Sequence, residues 1–197
     1  MVSEPRVFIS YSQDSKEHVS RVRALADRLR RDGINCTIDQ YEPDPPEGWP
    51  QWIDRQIEEA DFVLIVCTPT YYQKASGQAP SGTGHGVVFE GVQIAQYLYD
   101  AAMRNEKFIP VLFEDLEPSK ILRPLRPYSR YRVDHLEGYE ELLRRLTDQP
   151  RVPRPELGPR PILRPEESPI PPADRPSGTM EPPAKDFWIL FSEGAAA

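Results

Sequence analysis

The run Phe62-Val-Leu-Ile-Val-Cys67 contains no polar side chain and is bounded by Asp61 on one side and Thr68-Pro69 on the other. Its length and β-branched content favour an extended chain over a helix. A strand that is apolar on both faces has no side to offer to water. It must lie inside a sheet that is covered above and below. Helices supply such cover in α/β proteins, where they also serve as the crossovers that parallel strands need.

The flanking sequence provides those elements. Arg6-Val7-Phe8-Ile9-Ser10-Tyr11 reads as a strand of β-branched and aromatic residues. Asp14-Ser-Lys-Glu17 has the form of a capping box, and Val19, Val22, Leu25, Ala26 and Leu29 follow at helical spacing until Gly33. Ile34–Asp39 reads as a second strand, residues 40–48 as an acidic, proline-rich loop, and Pro50 as the first residue of a helix ending at Ala60. After Asp61–Cys67 come a Gly, Ser and Pro-rich loop over 73–87 and a helix from Val88 to Arg104. Lys107–Phe113 and Tyr128–Val133 read as strands, and His135–Thr147 as the last helix. Right-handed crossovers then predict a flavodoxin-like α/β three-layer sandwich with a five-stranded parallel sheet in the order 2-1-3-4-5. Ligands of such folds sit beyond the carboxyl ends of the strands, here at the switch point between strands 1 and 3.

Proline sets the domain boundaries. Twelve of the 23 prolines fall between Pro150 and Pro183, where each removes an amide donor and fixes φ. The expected layout is an α/β domain over 1–149, a proline-rich linker over 150–185 and a short apolar segment over 186–197, with the cluster Phe187-Trp-Ile-Leu-Phe191. That cluster either folds back onto its own domain or serves as a docking peptide.

A net charge of −7 disfavours nucleic acid as a partner. No stretch approaches about 18 consecutive apolar residues, so no membrane span is expected. The start of the chain has no secretory layout, and the two cysteines, Cys36 and Cys67, lie in apolar runs. Both point to a reducing, cytoplasmic setting, and no Cys/His spacing suggests a metal.

The predicted switch point gathers Ser10, Tyr11, Ser12, Asp39, Tyr41 and Thr68. Ser12, Asp39 and Thr68 either bind a ligand or cap the next helix or turn; Tyr11 either stacks on a base or fills the upper core. The Gly77–Gly86 loop either approaches a pyrophosphate through its amides or is a surface loop, and its His85 is either a solvated loop histidine or a base. Glu90 meets a helix dipole on the plain reading. In a cleft it also supplies a charge for electrostatic catalysis. Trp49 and Trp52 either pack a helix start against the sheet or anchor an interface.

Taken as ordered blocks, these residues resemble the SEFIR domains of the TIR-like superfamily, bacterial type. Val7-Phe-Ile-Ser-Tyr-Ser12 is similar to the first signature box, and Ile38-Asp-Gln-Tyr-Glu-Pro43 through Gly48-Trp-Pro-Gln-Trp52 to the SEFIR form of the next loop and helix. Ala60–Tyr71, Val88-Phe-Glu-Gly91 and Lys107-Phe-Ile-Pro-Val111 continue the match in order. The resemblance implies an oligomerisation-activated NAD glycohydrolase of bacterial immunity and antiviral defence, with NAD as substrate and no other cofactor. Glu90 would be its catalytic carboxylate, and Phe89 and the switch-point residues would bind substrate. Equally, it implies a non-enzymatic signalling adaptor that binds SEFIR or TIR domains or a sensor protein. Self-association would run through the 40–52 loop, with Glu42, Trp49 and Trp52 at the interface.

Overall fold

The computed structural model of the chain describes residues 4–76, 96 and 105–165. The chain divides into two units, Met1–Arg154 and Pro155–Ala197. In the second unit residues 155–165 are described, and they contain neither helix nor strand.

In the first unit β1 (Arg6–Ser10) leads into α1 (Lys16–Arg31). The helix is capped by Ser15, whose hydroxyl accepts from the His18 amide at 3.1 Å, and not by Asp14. Asp14 is committed to the turn before it: its amide donates to the Ser12 carbonyl at 2.9 Å, and its carboxylate accepts from the Ser12 hydroxyl. Gly33 ends α1 at φ +85°, and the Ile34 amide reaches back to the Leu29 carbonyl at 3.0 Å. β2 (Asn35–Thr37) is shorter than the sequence pattern suggests, because the chain turns into a 3-10 segment over Asp39–Tyr41.

α2 (Trp49–Glu59) starts after Gly48 at φ +80°, one residue before Pro50. β3 (Phe62–Val66) is followed at once by α3 (Pro69–Ala75), a helix that the turn-like composition conceals. Thr68 creates it by accepting from the Tyr71 amide at 3.0 Å, and Pro69 presets the first φ. After β4 (Phe108–Leu112) come 3-10 turns over Pro118–Lys120 and Arg123–Leu125, then β5 (Tyr131–Arg132) and α4 (Leu136–Leu146). β5 is confined to two residues, and ahead of it the Tyr128 amide donates to the Leu125 carbonyl at 3.2 Å.

The sheet is parallel throughout, in the order β2-β1-β3-β4-β5. Its two faces follow the alternation of side chains along the strands. Val7, Ile9, Leu64, Val66, Ile109 and Val111 pack against α1 and α4. Phe8, Val63, Ile65, Cys67, Phe108 and Leu112 pack against Trp52, Ile57, Tyr71 and the 3-10 turns. This gives the expected three-layer sandwich, with β1 and β3 at its centre. The last helix lies so near the edge strand that a Cβ on Gly138 would stand 2.0 Å from the Arg132 carbonyl oxygen.

Candidate functional site

The carboxyl ends of β1 and β3 are adjacent through the pairing of Ser10 with Ile65. Strand order therefore brings Ser10, Tyr11, Ser12 and Thr68 together although 56 residues separate Ser12 from Thr68. The Ser12 and Thr68 hydroxyl oxygens are 3.2 Å apart. Ser10 is 2% exposed, and its hydroxyl shares a hydrogen bond with the Tyr71 hydroxyl at 2.8 Å. Ser10 therefore ties α3 to β1, and in this conformation it offers no surface to a substrate.

Tyr11 fills the upper core with its ring and keeps its hydroxyl at the rim. That hydroxyl donates to Asp39 Oδ1 at 2.7 Å and accepts from Gln40 Nε2 at 3.0 Å. Burial first, and the Asp39 carboxylate second, push the phenol well above its ordinary range, so it remains a neutral donor. Asp39 stands beside this group at the carboxyl end of β2, with Gln13 Nε2 at 3.5 Å from its other oxygen. Ser12 is as buried as Ser10, at 1% exposed, and is engaged by Asp14 and Thr68, so Thr68 and the Tyr11–Asp39 pair make up the polar rim.

Tyr41, expected in the same cluster, belongs elsewhere. It is 37% exposed, and its hydroxyl donates to Asp27 on α1 at 2.6 Å. The 3-10 turn rotates this side chain towards α1 and away from the Ser12–Thr68 pair. Phe89 and Glu90 lie outside the described residues, as do the Gly77–Gly86 loop with His85, the Val88–Arg104 helix apart from the helical Gln96, and the Phe187–Phe191 cluster.

His18 is a functional candidate that no sequence pattern singles out. It sits in the first turn of α1 with its ring 6.3 Å from Tyr11 and 5.8 Å, edge-on, from Phe113. Its Nε2 is buried and has no hydrogen-bond partner among the described residues. Burial is the main cause that lowers its pKa, with the Arg21 cation adding to it against the pull of Asp14 and Glu114. Nothing in the helical spacing of α1 marks this position, because the wall it meets comes from the end of β4.

The two tryptophans part company. Trp52, expected at an interface, is 3% exposed and packs edge-on against Phe8 at 5.8 Å, so it belongs to the core. Trp49 is 41% exposed and leans edge-on against Trp52 at 5.7 Å. The loop before it is braced: the Gly48 amide donates to the Pro45 carbonyl at 2.9 Å, and Glu47 accepts from Arg55 Nε at 3.0 Å. Glu42 is half-buried in this loop and accepts from the Asp44 amide at 3.4 Å. Residues 39–48 contain four acidic and no basic side chains, so Trp49 rises from an acidic surface.

Comparison with known proteins agrees with this architecture. A TIR domain family model matches residues 7–147. The crystal structure of a prokaryotic SEFIR domain is similar over 79% of this chain and 100% of that one, at 28% identity and a TM-score of 0.56. The TIR domains of the activated Roq1 resistosome, which recognises the pathogen effector XopQ, align with 72% of this chain and 98% of their own at a TM-score of 0.52. Their 15% identity makes this a likeness of fold. Human interleukin-17 receptor D is 28% identical over 127 residues, which cover 56% of this chain and 17% of the receptor. The match thus spans less than a fifth of that relative's length.

Proposed function

The chain belongs to the TIR domain family and carries a SEFIR/TIR-like domain, and from that premise we propose that it is a signalling module that associates with domains of its own kind through residues 40–52. The carrying observation is Trp49. A large aromatic ring, 41% exposed, is held in one orientation by a buried tryptophan beneath it and a braced loop beside it. Holding an anchor in place before binding lowers the entropic cost of association. Aromatic anchors of this kind dominate interface energetics, and truncating one typically costs about 2 kcal/mol or more. Glu42 belongs to the same loop, whereas Trp52 supports the anchor from the core.

Sedimentation of wild type and Trp49→Ala at equal folded fraction tests this reading. The variant should associate about 30-fold more weakly, the equivalent of about 2 kcal/mol. Equal association would remove the loop from the interface.

A second reading, favoured by the polar rim at the switch point, is cleavage of NAD by the assembled protein. Nicotinamide leaves as a neutral molecule from a cationic substrate, so the reaction needs little acid catalysis. It needs a negative charge beside the developing oxocarbenium ion and hydrogen bonds that fix the ribose. Thr68 and the Tyr11–Asp39 pair supply hydroxyl and carboxylate partners at the carboxyl ends of three neighbouring strands, with the buried Ser12 hydroxyl bonded to Thr68. Glu90, which the sequence pattern predicts at the opening of a helix over Val88–Arg104, would supply the charge. Glu90→Gln should then lower nicotinamide release by about two to three orders of magnitude while leaving assembly intact. Equal release by the two proteins would exclude Glu90 from the chemistry.

A further inference from the structure

The chain as a whole is acidic, with a net charge of −7, yet residues 120–154 hold nine Lys and Arg against five Asp and Glu. Six of the eight arginines of this stretch fall into two groups. Arg126 and Arg132 are engaged by the fold itself. Arg126 donates to the carbonyls of Ile121 at 2.9 Å and Ser119 at 2.7 Å, and Arg132 to Asp134 at 3.0 Å and Asp115 at 2.7 Å.

The second group, Arg130, Arg144, Arg145 and Arg151, lines a shallow cavity of about 790 Å³, open to solvent, between residues 128–131 and the carboxyl-terminal half of α4. These side chains have donors to spare. Arg144 gives one long bond to the Gln149 carbonyl at 3.3 Å, and Arg145 one to the Glu106 carbonyl at 3.4 Å. Arg151 has Glu137 at 3.6 Å. Arg130 makes no hydrogen bond or ion pair among the described residues. Glu141 and Asp148 also line the cavity, and neither forms an ion pair with these arginines.

Plain structural reasons account for only part of this arrangement. Arg144 and Arg145 stand in the last turn of α4, where cations meet the negative end of the helix dipole. That argument does not reach Arg130, which approaches from the opposite wall, ahead of β5. Each guanidinium offers five N–H donors in a planar fork that matches phosphate oxygens in pairs. Cations converging on one concavity repel one another, and a multiply charged anion relieves that repulsion where a single carboxylate cannot. Tyr128 and Tyr131 add aromatic surface to the same wall, and the volume suits a ligand of nucleotide size.

We infer that this cavity binds a polyphosphate-bearing small molecule of nucleotide size, with its phosphates held between Arg130 on one wall and Arg144 and Arg145 on the other. The site lies at the β5 edge of the sheet and shares no residue with the switch point or with the Trp49 loop.

Calorimetric titration of the whole chain with ATP, pyrophosphate and adenosine, at about 150 mM salt to screen loose surface attraction, tests it. ATP and pyrophosphate should bind saturably, ATP the more tightly, and adenosine should not bind. Arg130→Gln, and separately the pair Arg144→Gln with Arg145→Gln, should each weaken ATP at least tenfold. Arg123→Gln, on an exposed arginine outside the cavity, should leave it unchanged. These side chains reach solvent, so melting curves should show all variants folded. Absence of saturable binding overturns the inference, as does equal weakening by Arg123→Gln. Loss of self-association in the cavity variants, without polyphosphate binding by the wild type, also overturns it and assigns the arginines to an acidic protein surface.

Discussion

Gly138→Ala sets two physical effects against each other at one position. Gly138 stands in the first turn of α4, where alanine is the better helix former by at most about 0.8–1.0 kcal/mol. Judged on propensity alone, the substitution should stabilise the protein. The tertiary structure reverses that expectation. The added methyl carbon would stand 2.0 Å from the Arg132 carbonyl oxygen and 2.9 Å from its carbonyl carbon, and both are backbone atoms of β5. A backbone carbonyl cannot swing aside as a flexible side chain can, so α4 and β5 must separate by more than an ångström. Overpacking of this kind costs about 1–3 kcal/mol, and here the upper end applies because the obstruction is rigid. Separation also loosens Tyr139, Leu142 and Leu146 against the sheet. After the propensity gain, the net effect should be a loss of about 2 kcal/mol, or roughly 4–8 °C in Tm for a unit of this size. Urea and thermal melts of wild type and Gly138→Ala measure it directly. A variant as stable as wild type, or more so, would refute the close approach of α4 to β5.

The half-buried imidazole of His18 makes stability depend on pH. Its folded-state pKa lies below the unfolded value of 6.5, so the unfolded chain binds the extra proton more readily. The contribution is therefore complete above about pH 6.5 and is lost as the pH falls through the folded pKa. The gap in Tm between wild type and His18→Gln should shrink or invert on acidification, and a gap constant from pH 7.5 to the acid range would contradict the burial. Burial pushes the Cys36 and Cys67 thiols up to about 12, so neither should react with a thiol reagent at pH 8 faster than the protein unfolds. Rapid labelling of either cysteine in the folded protein would show that these strands are accessible. Trp52→Ala should destabilise the fold by about 3–5 kcal/mol, far more than the same change at the half-exposed Trp49, in paired denaturant melts.

The apolar run at 62–67, the helical spacing of Val22, Leu25 and Leu29, and the glycine at 33 each report a local energetic preference. Such preferences are legible in one dimension. Together they fixed the number and order of strands, and right-handed crossovers then left the 2-1-3-4-5 sheet as the natural arrangement. The family resemblance was equally legible, because it rests on ordered blocks of side chains. Capping at Ser15 and the short helix at Pro69–Ala75 were not, since both depend on which of several adjacent polar residues wins an amide. The same holds for the site. Sequence named Ser12, Asp39 and Thr68, but only the pairing of β1 with β3 made Ser12 and Thr68 neighbours, and only the 3-10 turn sent Tyr41 to Asp27. Trp49 and Trp52 read alike in the chain, three residues apart and on either side of a proline. Which of them faces water was settled by Phe8, from a strand distant in sequence, which fills the space over Trp52 and leaves Trp49 on the surface. The arginine cavity was invisible for the same physical reason: a single chain position carries charge and propensity, whereas a concave group of like charges exists only once strand and helix are packed against each other.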